Sequence, residues 1–199
     1  MEIVRMNPAQ LKQAANVFFK AFYNYPQMVY YFPDEALRQR YLEWYFGCVL
    51  DYALRYGEVH LNPDVSAFAA WIPPERTSAS MWGYIRSGFL LAPIRFGIKK
   101  YMRVVDCEDY TGKIHKELMP APHYYVWGLG VDPLYQGRGI GAALLQPGLA
   151  AARAGSLPVY LETHDPKNIR FYEKLGFEMI REDSVPQHNL PFWCFRLQP

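Results

Sequence analysis

Cysteine is scarce in this chain of 199 residues. Cys48, Cys107 and Cys194 are too far apart to form a metal-ligand spacing, and their odd number argues against a disulfide framework. This usage is typical of a reducing compartment. We therefore expect a cytoplasmic protein without a bound metal.

The chain also lacks an excess of charge of one sign and any long apolar run. Lys and Arg number 21 and Asp and Glu 19, so the net charge is only +2. No apolar stretch is long enough to span a membrane, and the first eight residues do not resemble a signal peptide. We expect a soluble protein that binds neither nucleic acid nor membrane.

The first half of the chain is rich in aromatic residues and predicts mainly helices. We expect helices from Asn7-Pro8 to Tyr23 and from Pro33-Asp34 to Tyr56, with an aromatic loop between them at 24–32. A hairpin is expected over 58–72. The segment 77–118 is difficult to interpret. It predicts a helix capped by Ser78 or Ser80, a basic helix to about residue 105, and a further helix over 112–118.

The strongest local pattern lies in residues 124–145. The apolar run 124–131 predicts a buried strand, which Asp132-Pro133 ends. Gly137, Gly139 and Gly141 then precede an Ala- and Leu-rich helical pattern over 137–154, in which Pro147 predicts a kink. Because a glycine-rich turn at a helix N-terminus presents free N–H groups, this layout predicts a phosphate-bearing cofactor held by the main chain.

The spacing of the glycines indicates which class of phosphate-bearing cofactor the turn would bind. No Lys-Ser/Thr follows them, as a P-loop requires, and the spacing is not that of a dinucleotide-binding turn. Gln136-Gly-Arg-Gly-Ile-Gly141 resembles the Gln/Arg-x-x-Gly-x-Gly/Ala signature of the GNAT acetyltransferase superfamily. The stretch Asn168-Ile-Arg-Phe-Tyr-Glu-Lys-Leu-Gly-Phe177 is similar to its second motif.

The resemblance covers residues 123–180. Within this stretch the sequence is similar to the puromycin N-acetyltransferase subgroup. The resemblance implies an α/β fold with a central, mostly antiparallel mixed sheet, a bulged and splayed parallel pair of strands, and helices on both faces. Gly128 and Gly130 inside the strand 124–131 suggest the bulge. We expect one domain over 1–199. Residues 1–121 would shape the acceptor site, and residues 122–199 would form the acetyl-CoA-binding core and the closing strands.

The resemblance also assigns residues to acetyl-CoA. Main-chain groups of Leu129 and Val131 would bind the pantetheine arm, and Gln136 begins the turn. Asn168 would hydrogen-bond the same co-substrate. The pyrophosphate would be held by backbone N–H groups of Gly137, Arg138, Gly139, Gly141 and Ala142. The Arg138 guanidinium either adds a charged contact or is solvated.

Acyl transfer to an amine requires a neutral amine, a stabilised oxyanion and a protonated leaving group. The N–H of Leu129 would serve the oxyanion, and Tyr172 would bind the cofactor and protonate the sulfur. Glu162 is either the general base or a structurally paired carboxylate. His123 is expected to be a satisfied structural histidine. His115 and His164 are expected on the surface.

Together these features predict an acetyl-CoA-dependent N-acetyltransferase that acts on a small-molecule amine by direct attack in a ternary complex. Two alternatives stay open: an inactive module that binds or senses acyl-CoA, and an acetyltransferase for protein or peptide amines. A homodimer also stays open. Glu43 and Asp51 are candidates for contacting a cationic acceptor. The basic cluster of Arg95, Lys99, Lys100 and Arg103 is expected to be an ordinary solvated face.

Overall fold

The computed structural model describes residues 1–77, 81–186 and 189–199. Its strands are β1 Val4–Arg5, β2 Glu58–Leu61, β3 Ala67–Ile72, β4 Tyr124–Val131, β5 Val159–Thr163, β6 Glu178–Val185 and β7 Leu190–Leu197. Its helices are α1 Leu11–Phe22, α2 Pro26–Tyr31, α3 Glu35–Tyr56, α4 Met81–Arg86, α5 Ala92–Phe96, α6 Ile98–Leu118, α7 Ile140–Ala154 and α8 Ile169–Lys174. None of these described helices has the length and apolar character needed to cross a membrane.

The strands form one sheet in the order β1-β2-β3-β4-β5-β7-β6. Neighbouring strands are antiparallel except β4 and β5. This parallel pair is in register only at its start, where Tyr124 lies beside Val159 and Tyr125 beside Tyr160. Beyond Tyr125 the two strands part. The predicted mixed, mostly antiparallel sheet with a splayed parallel pair is confirmed.

Strand β4 contains the bulge that its glycines predict. Against β3, Val126 lies opposite Trp71 and Gly128 lies opposite Ala70, so Trp127 is an extra residue on β4. An extra residue bends the strand and increases its twist, which favours separation from β5. Gly130 has a packing reason of its own, because a Cβ there would overlap the ring of Phe68.

Helices cover both faces of the sheet, as predicted. Alternate residues of a strand point to opposite faces, and β3 shows this clearly. Phe68 and Ala70 join the hydrophobic cluster that contains residues of α1, α3 and α6. Ala69 and Trp71 join the cluster that contains Leu144 of α7 together with residues of α8. The central strands are therefore buried on both sides.

The N-terminal elements follow the predicted start signals. Asn7 caps a 3₁₀ turn at Pro8–Gln10 that leads into α1, and its side chain accepts a hydrogen bond from the Ala9 N–H at 3.0 Å. Asp34 caps α3 by accepting hydrogen bonds from the first-turn amides. Strands β2 and β3 form the predicted hairpin, with Glu58 opposite Trp71. The start of β3 is Ala67, slightly later than predicted.

The predicted aromatic loop at 24–32 is wrong, because most of it is helix α2. Pro26 occupies the first turn of α2, where its fixed φ favours helix and its missing N–H costs nothing. Met28, Tyr31 and Phe32 are buried in the core. The aromatic side chains of this segment therefore pack, while Tyr25 and Met28 also line a cavity described below.

The prediction of two separate helices within 95–118 is wrong. Residues 98–118 form the continuous helix α6, and Gly112 lies inside it with open space around its Cβ position. A glycine in a helix interior costs only about 1 kcal/mol relative to alanine, which tertiary packing readily offsets. The proposed capping residues Ser78 and Ser80 lie outside the described residues, and α4 is followed by Gly88 with φ of 90°.

Helix α7 continues through Pro147 from Ile140 to Ala154. Leu144, Leu145, Leu149 and Ala152 are buried against the sheet, and Ala151 is exposed. The next residue after the proline, Gly148, lies directly against Trp71 of β3, and a Cβ at this position would overlap the indole ring. Glycine thus allows the helix to approach the sheet closely.

Candidate active site

A cavity of about 100 Å³ opens where β4 and β5 part. Its walls come from α1, α2, α3 and α6 on one side and from β4, β5 and the start of α8 on the other. The polar side chains that line it are Tyr25, Gln27, Tyr45, Glu108, Tyr125, Glu162, Thr163, His164, Asn168 and Tyr172. The parted strands thus create a small space with two carboxylates and several hydroxyl groups.

Glu162 lies on β5 at the wall of this cavity. Its Oε1 accepts a hydrogen bond from the hydroxyl of Tyr125. Its Oε2 is buried and has no hydrogen-bond partner of good geometry among the described residues. Burial raises the pKa of Glu162 to about 7, although the hydroxyls of Tyr125 and Tyr160 act in the opposite direction. A carboxylate with this pKa exchanges a proton readily near neutral pH.

Glu108 of α6 is a second carboxylate in the cavity, and sequence reasoning missed it. Its Oε1 accepts a hydrogen bond from the Tyr31 hydroxyl at 2.6 Å. The residue is exposed to the cavity, yet loss of water around the carboxylate raises its pKa. The available signal was helical spacing, because Val104, Cys107 and Thr111 are buried on the adjoining face of α6.

A hydrogen-bond network joins the end of β5 to α2 and α8. Thr163 Oγ1 lies 3.0 Å from the Tyr25 hydroxyl and accepts a hydrogen bond from Asn168 Nδ2 at 3.0 Å. The Tyr25 hydroxyl also accepts a hydrogen bond from the His164 N–H at 2.5 Å. Asn168 directly precedes α8 and lines the cavity, with its amide held by Thr163.

Tyr172 of α8 is buried and lines the same cavity. Burial raises its pKa well above the ordinary value, so its hydroxyl stays protonated at neutral pH. Its ring packs against Phe171, Phe177 and Phe195. The structure thus brings Tyr172 and Glu162 to one cavity, and a protonated hydroxyl is the form that can donate a proton.

Two of the three histidine expectations are wrong. His115 and His164 are both buried: the His115 ring of α6 is stacked on Tyr160 of β5, and His164 lies against β7, with Nδ1 3.1 Å from the Pro191 carbonyl oxygen. Burial lowers the pKa of His115 to about 3 and that of His164 to about 4. His123 is a satisfied structural histidine, with Nε2 at 2.7 Å from His115 Nε2 and Nδ1 at 2.7 Å from the carbonyl oxygen of Ala121.

Glu43 and Asp51 do not reach this cavity. They line a separate, open groove of about 560 Å³ between α1 and α3. Asp51 is already paired with Arg55, whose Nε lies 2.7 Å from its Oδ2. The carboxylates that line the cavity are therefore Glu108 and Glu162.

The glycine turn lies between β4 and α7. Gly137 and Gly139 have φ of 77° and 76°, and no atom lies within 4 Å of the Cβ position of either residue. Gly139 begins α7 without a side-chain cap, so the first amides of a 15-residue helix face open space. This arrangement fits an anionic pyrophosphate, because backbone donors and the positive helix end point to one exposed place.

The side chains around the turn have structural contacts of their own. Gln136 Nε2 donates to the carbonyl oxygen of Val131 at 3.0 Å, which fixes the turn to the end of β4. Arg138 is exposed, donates to the Leu134 carbonyl at 3.2 Å and lies over the ring of Tyr135. Leu129 of β4 lies opposite Ala69 of β3 and is half-buried, as is Ala142.

Comparison with solved structures identifies the fold. The structure superposes on a histone acetyltransferase HPA2 and related acetyltransferase from Corynebacterium glutamicum with a TM-score of 0.67, at 18% identity and over 99% of this chain and 95% of that one. It superposes on arylalkylamine N-acetyltransferase 2 from Aedes aegypti with a TM-score of 0.61, at 12% identity over 99% and 98% of the two chains. The fold is that of the acetyltransferases.

The family follows from the sequence. Residues 19–177 match the model of the Acetyltransferase (GNAT) family, and the chain belongs to this family. It is 37% identical over 71 residues to N-alpha-acetyltransferase RimI from Mycobacterium tuberculosis, covering 36% of this chain and 45% of that protein. It is 42% identical over 72 residues to a mycothiol acetyltransferase from Nocardiopsis dassonvillei, covering 33% and 22%. The chain spans less than half the length of these curated relatives.

Proposed function

We propose that the protein is an N-acetyltransferase that moves the acetyl group of acetyl-CoA to the amine of a small molecule by direct attack in a ternary complex. The observation that carries this proposal is the cavity between the parted strands. It brings Glu108, Glu162 and Tyr172 together beside β4, the strand that leads directly to the glycine turn.

Acetyl-CoA, which the family generally uses, would supply an activated acetyl group as a thioester. The exposed glycine turn and the uncapped start of α7 fit its pyrophosphate, with backbone N–H groups of Gly137, Arg138, Gly139, Gly141 and Ala142 as donors. Leu129 and Val131 lie on the part of β4 that has separated from β5 and would pair with an extended arm. Gln136 positions the turn and Asn168 borders the cavity.

Glu162 is proposed as the general base. Near neutral pH a carboxyl with a pKa of about 7 is partly ionised, and the ionised form accepts a proton from an ammonium group directly or through water. Deprotonation frees the nitrogen lone pair for attack. The Leu129 N–H would stabilise negative charge on the acyl oxygen, and the protonated Tyr172 hydroxyl would donate its proton to the sulfur that leaves.

The acceptor is proposed to be a compact amine that enters as a cation. The cavity measures about 100 Å³, and its apolar part is formed by aromatic rings such as Phe22, Tyr45 and Trp127. A carboxylate at Glu108 attracts an ammonium group, and aromatic faces add cation–π contacts. The names of a mycothiol acetyltransferase and of arylalkylamine N-acetyltransferases among the similar proteins support a small acceptor.

The test is release of free CoA when the protein is mixed with acetyl-CoA and each member of an amine panel that includes arylalkylamines, diamines and peptides with a free N-terminus. Turnover with small amines, with a raised KM in Glu108→Gln, is expected. Turnover with peptides alone would show that the acceptor is a peptide amine and not a small molecule. Tight acetyl-CoA binding without release for any amine would instead indicate a binding or sensing module.

A further inference from the structure

The segment 82–103 carries an unusual surface. Of the ten large apolar side chains that are exposed in the described residues, six belong to this segment. They are Trp82, Leu90, Leu91, Ile94, Ile98 and Met102. We call this set, together with the basic side chains between them, the basic-apolar patch.

The basic side chains of the patch are not neutralised. They are Arg86, Arg95, Lys99, Lys100 and Arg103. The sequence contains no Asp or Glu between Arg76 and Asp106. Among the described residues none of these five forms a salt bridge, although Arg95 lies over the ring of Trp44 and Lys100 donates to the Phe96 carbonyl. The patch therefore carries five basic side chains without an ion-pair partner among the described residues.

The exposed apolar residues lie on the opposite side of their helices from the residues that pack into the core. Ala92 and Phe96 of α5 are buried, and the Phe96 ring packs against Phe32 and Trp44. With α5 anchored by that face, Ile94 points away and is 81% exposed. Ile98 is 67% exposed, and Met102 lies one helical turn further along α6 on the same outward side.

We propose that the basic-apolar patch docks the protein on an anionic membrane surface. Aliphatic and indole side chains enter the boundary between headgroups and acyl chains, while flanking lysine and arginine residues bind anionic lipid headgroups. Charge complementarity favours this occupant over a second copy of the chain, because a two-fold contact through the patch sets its positive charges against each other. Apart from Trp82, the apolar side chains of the patch also offer no stacking platform for nucleic-acid bases.

The patch is separate from the groups proposed for catalysis. On α6 the outward residues Ile98 and Met102 belong to the patch, whereas Glu108 lines the cavity. Failure of the docking proposal would leave the acetyltransferase proposal intact, and the reverse also holds. The basic cluster was expected to be an ordinary solvated face on the basis of its charge alone. The structure shows exposed apolar side chains in the same segment.

Vesicle sedimentation tests the proposal. The full chain is mixed with vesicles of phosphatidylcholine alone or of phosphatidylcholine with an equal part of phosphatidylserine. We expect binding to the anionic vesicles that is at least about tenfold stronger than to the neutral ones and that weakens with salt. Lys99→Gln with Arg103→Gln should weaken it by about fivefold per charge. Ile94→Ser should weaken it by about tenfold.

Two variants serve as matched controls. Lys113→Gln with Lys116→Gln removes two exposed charges from the same helix outside the patch, and Leu134→Ser replaces another apolar side chain that is 77% exposed. Neither should change vesicle binding, and circular dichroism should show that every variant is folded. Equal binding to both vesicle types, no binding, or equal losses in the controls would overturn the proposal. The proposal would also be overturned if the protein formed a dimer that Ile94→Ser dissociates and did not bind to vesicles.

Discussion

The two carboxylates of the cavity, Glu108 and Glu162, influence each other. The negative charge of Glu108 adds to burial in raising the pKa of Glu162. An ammonium group between them would favour ionisation of both, because an opposite charge stabilises the charged form. Glu162 would then become the base when the acceptor arrives. The residue that makes this pairing possible, Tyr31, holds Glu108 from 77 positions away.

Replacement of Glu162 by Gln tests its role at the cavity. The amide cannot accept the proton, so kcat should fall by about 10²- to 10⁴-fold. Affinity for acetyl-CoA, measured by calorimetry, should stay the same because the glycine turn is untouched. Glu173→Gln, an exposed carboxylate on α8, is the control and should keep full activity. A Glu162→Gln enzyme with wild-type kcat would remove Glu162 from the mechanism.

The same variant has a predicted effect on stability. Because burial raises the pKa of Glu162 from 4.5 to about 7, the folded chain binds more protons than the unfolded chain between these values. Its free energy of unfolding therefore falls as pH rises through this window. Gln stays neutral, so Glu162→Gln should be more stable than wild type by roughly 1–3 kcal/mol at pH about 8, and nearly equal at pH about 4.5.

Urea unfolding at the two pH values measures this difference, since histidine contributions are common to both proteins. A stability gain that is independent of pH would contradict the raised pKa. Loss of stability in Glu162→Gln at high pH would show that the Tyr125 hydrogen bond outweighs the burial of charge.

Sequence reasoning located the residues near the motifs and missed those that enter the cavity from elsewhere. Glu162, Asn168 and Tyr172 lie within or beside a short stretch whose strand-turn-helix order limits where they can be. Glu108 and Tyr25 reach the cavity from α6 and from the start of α2, so their position depends on how the helices pack. Burial of His164 likewise depends on β7, which covers it through the Pro191 carbonyl.

At the level of elements, glycines occur for different structural reasons, and their spacing in the sequence does not show which reason applies. Gly128 and Gly130 correctly predicted a bulge, yet Gly130 is also required by Phe68. Gly112 suggested a helix boundary and lies in the middle of α6. A glycine reports that a side chain is absent, and only the neighbours show whether the reason is backbone conformation, close packing or neither.

Helix α7 provides a test of close packing. Gly148→Ala places a methyl group inside the Trp71 indole, so α7 must move from β3, and we expect a loss of about 1–3 kcal/mol. Gly112→Ala, in the open interior of α6, should instead gain about 0.5–1 kcal/mol. Thermal unfolding distinguishes the two. Equal changes of the same sign would show that packing against Trp71 does not determine the distance between helix and sheet.

The turn before α7 allows backbone strain to be separated from ligand binding. Gly139→Ala forces a side chain onto φ of 76° at the proposed pyrophosphate site and should weaken acetyl-CoA binding by about tenfold or more. Gly88→Ala meets a similar strain, because Gly88 also has a left-handed backbone with φ of 90° and ψ of −2°, and it lies far along the chain from the turn. It should lose similar stability and keep its affinity for acetyl-CoA. Equal affinity losses would mean that strain alone explains the effect.

For the whole molecule, the sheet joins the half that shapes the acceptor cavity to the half with the glycine turn. β3 from the first half pairs with β4 from the second over residues from Ala67 to Ile72, and α1 is linked to the end of β4 by Lys20 and Asp132 at 2.9 Å. The sequence predicted both halves but not this extent of contact, because strand order is a tertiary property. The continuous apolar run of β3 is typical of a strand buried on both faces, but it does not identify the strands that lie beside it.

This connection makes the predicted single domain testable. Because β3 contributes to both hydrophobic clusters, we expect residues 1–121 and 122–199 to unfold in one transition, with tryptophan fluorescence and far-UV circular dichroism coincident. Acetyl-CoA at about 100 times its Kd should stabilise the whole chain by about 2.7 kcal/mol and raise Tm by roughly 5–10 °C. Two transitions, of which acetyl-CoA shifts only one, would show that the halves fold separately. The cavity would then lie between units that can part, and its carboxylates would face each other only when the two are docked.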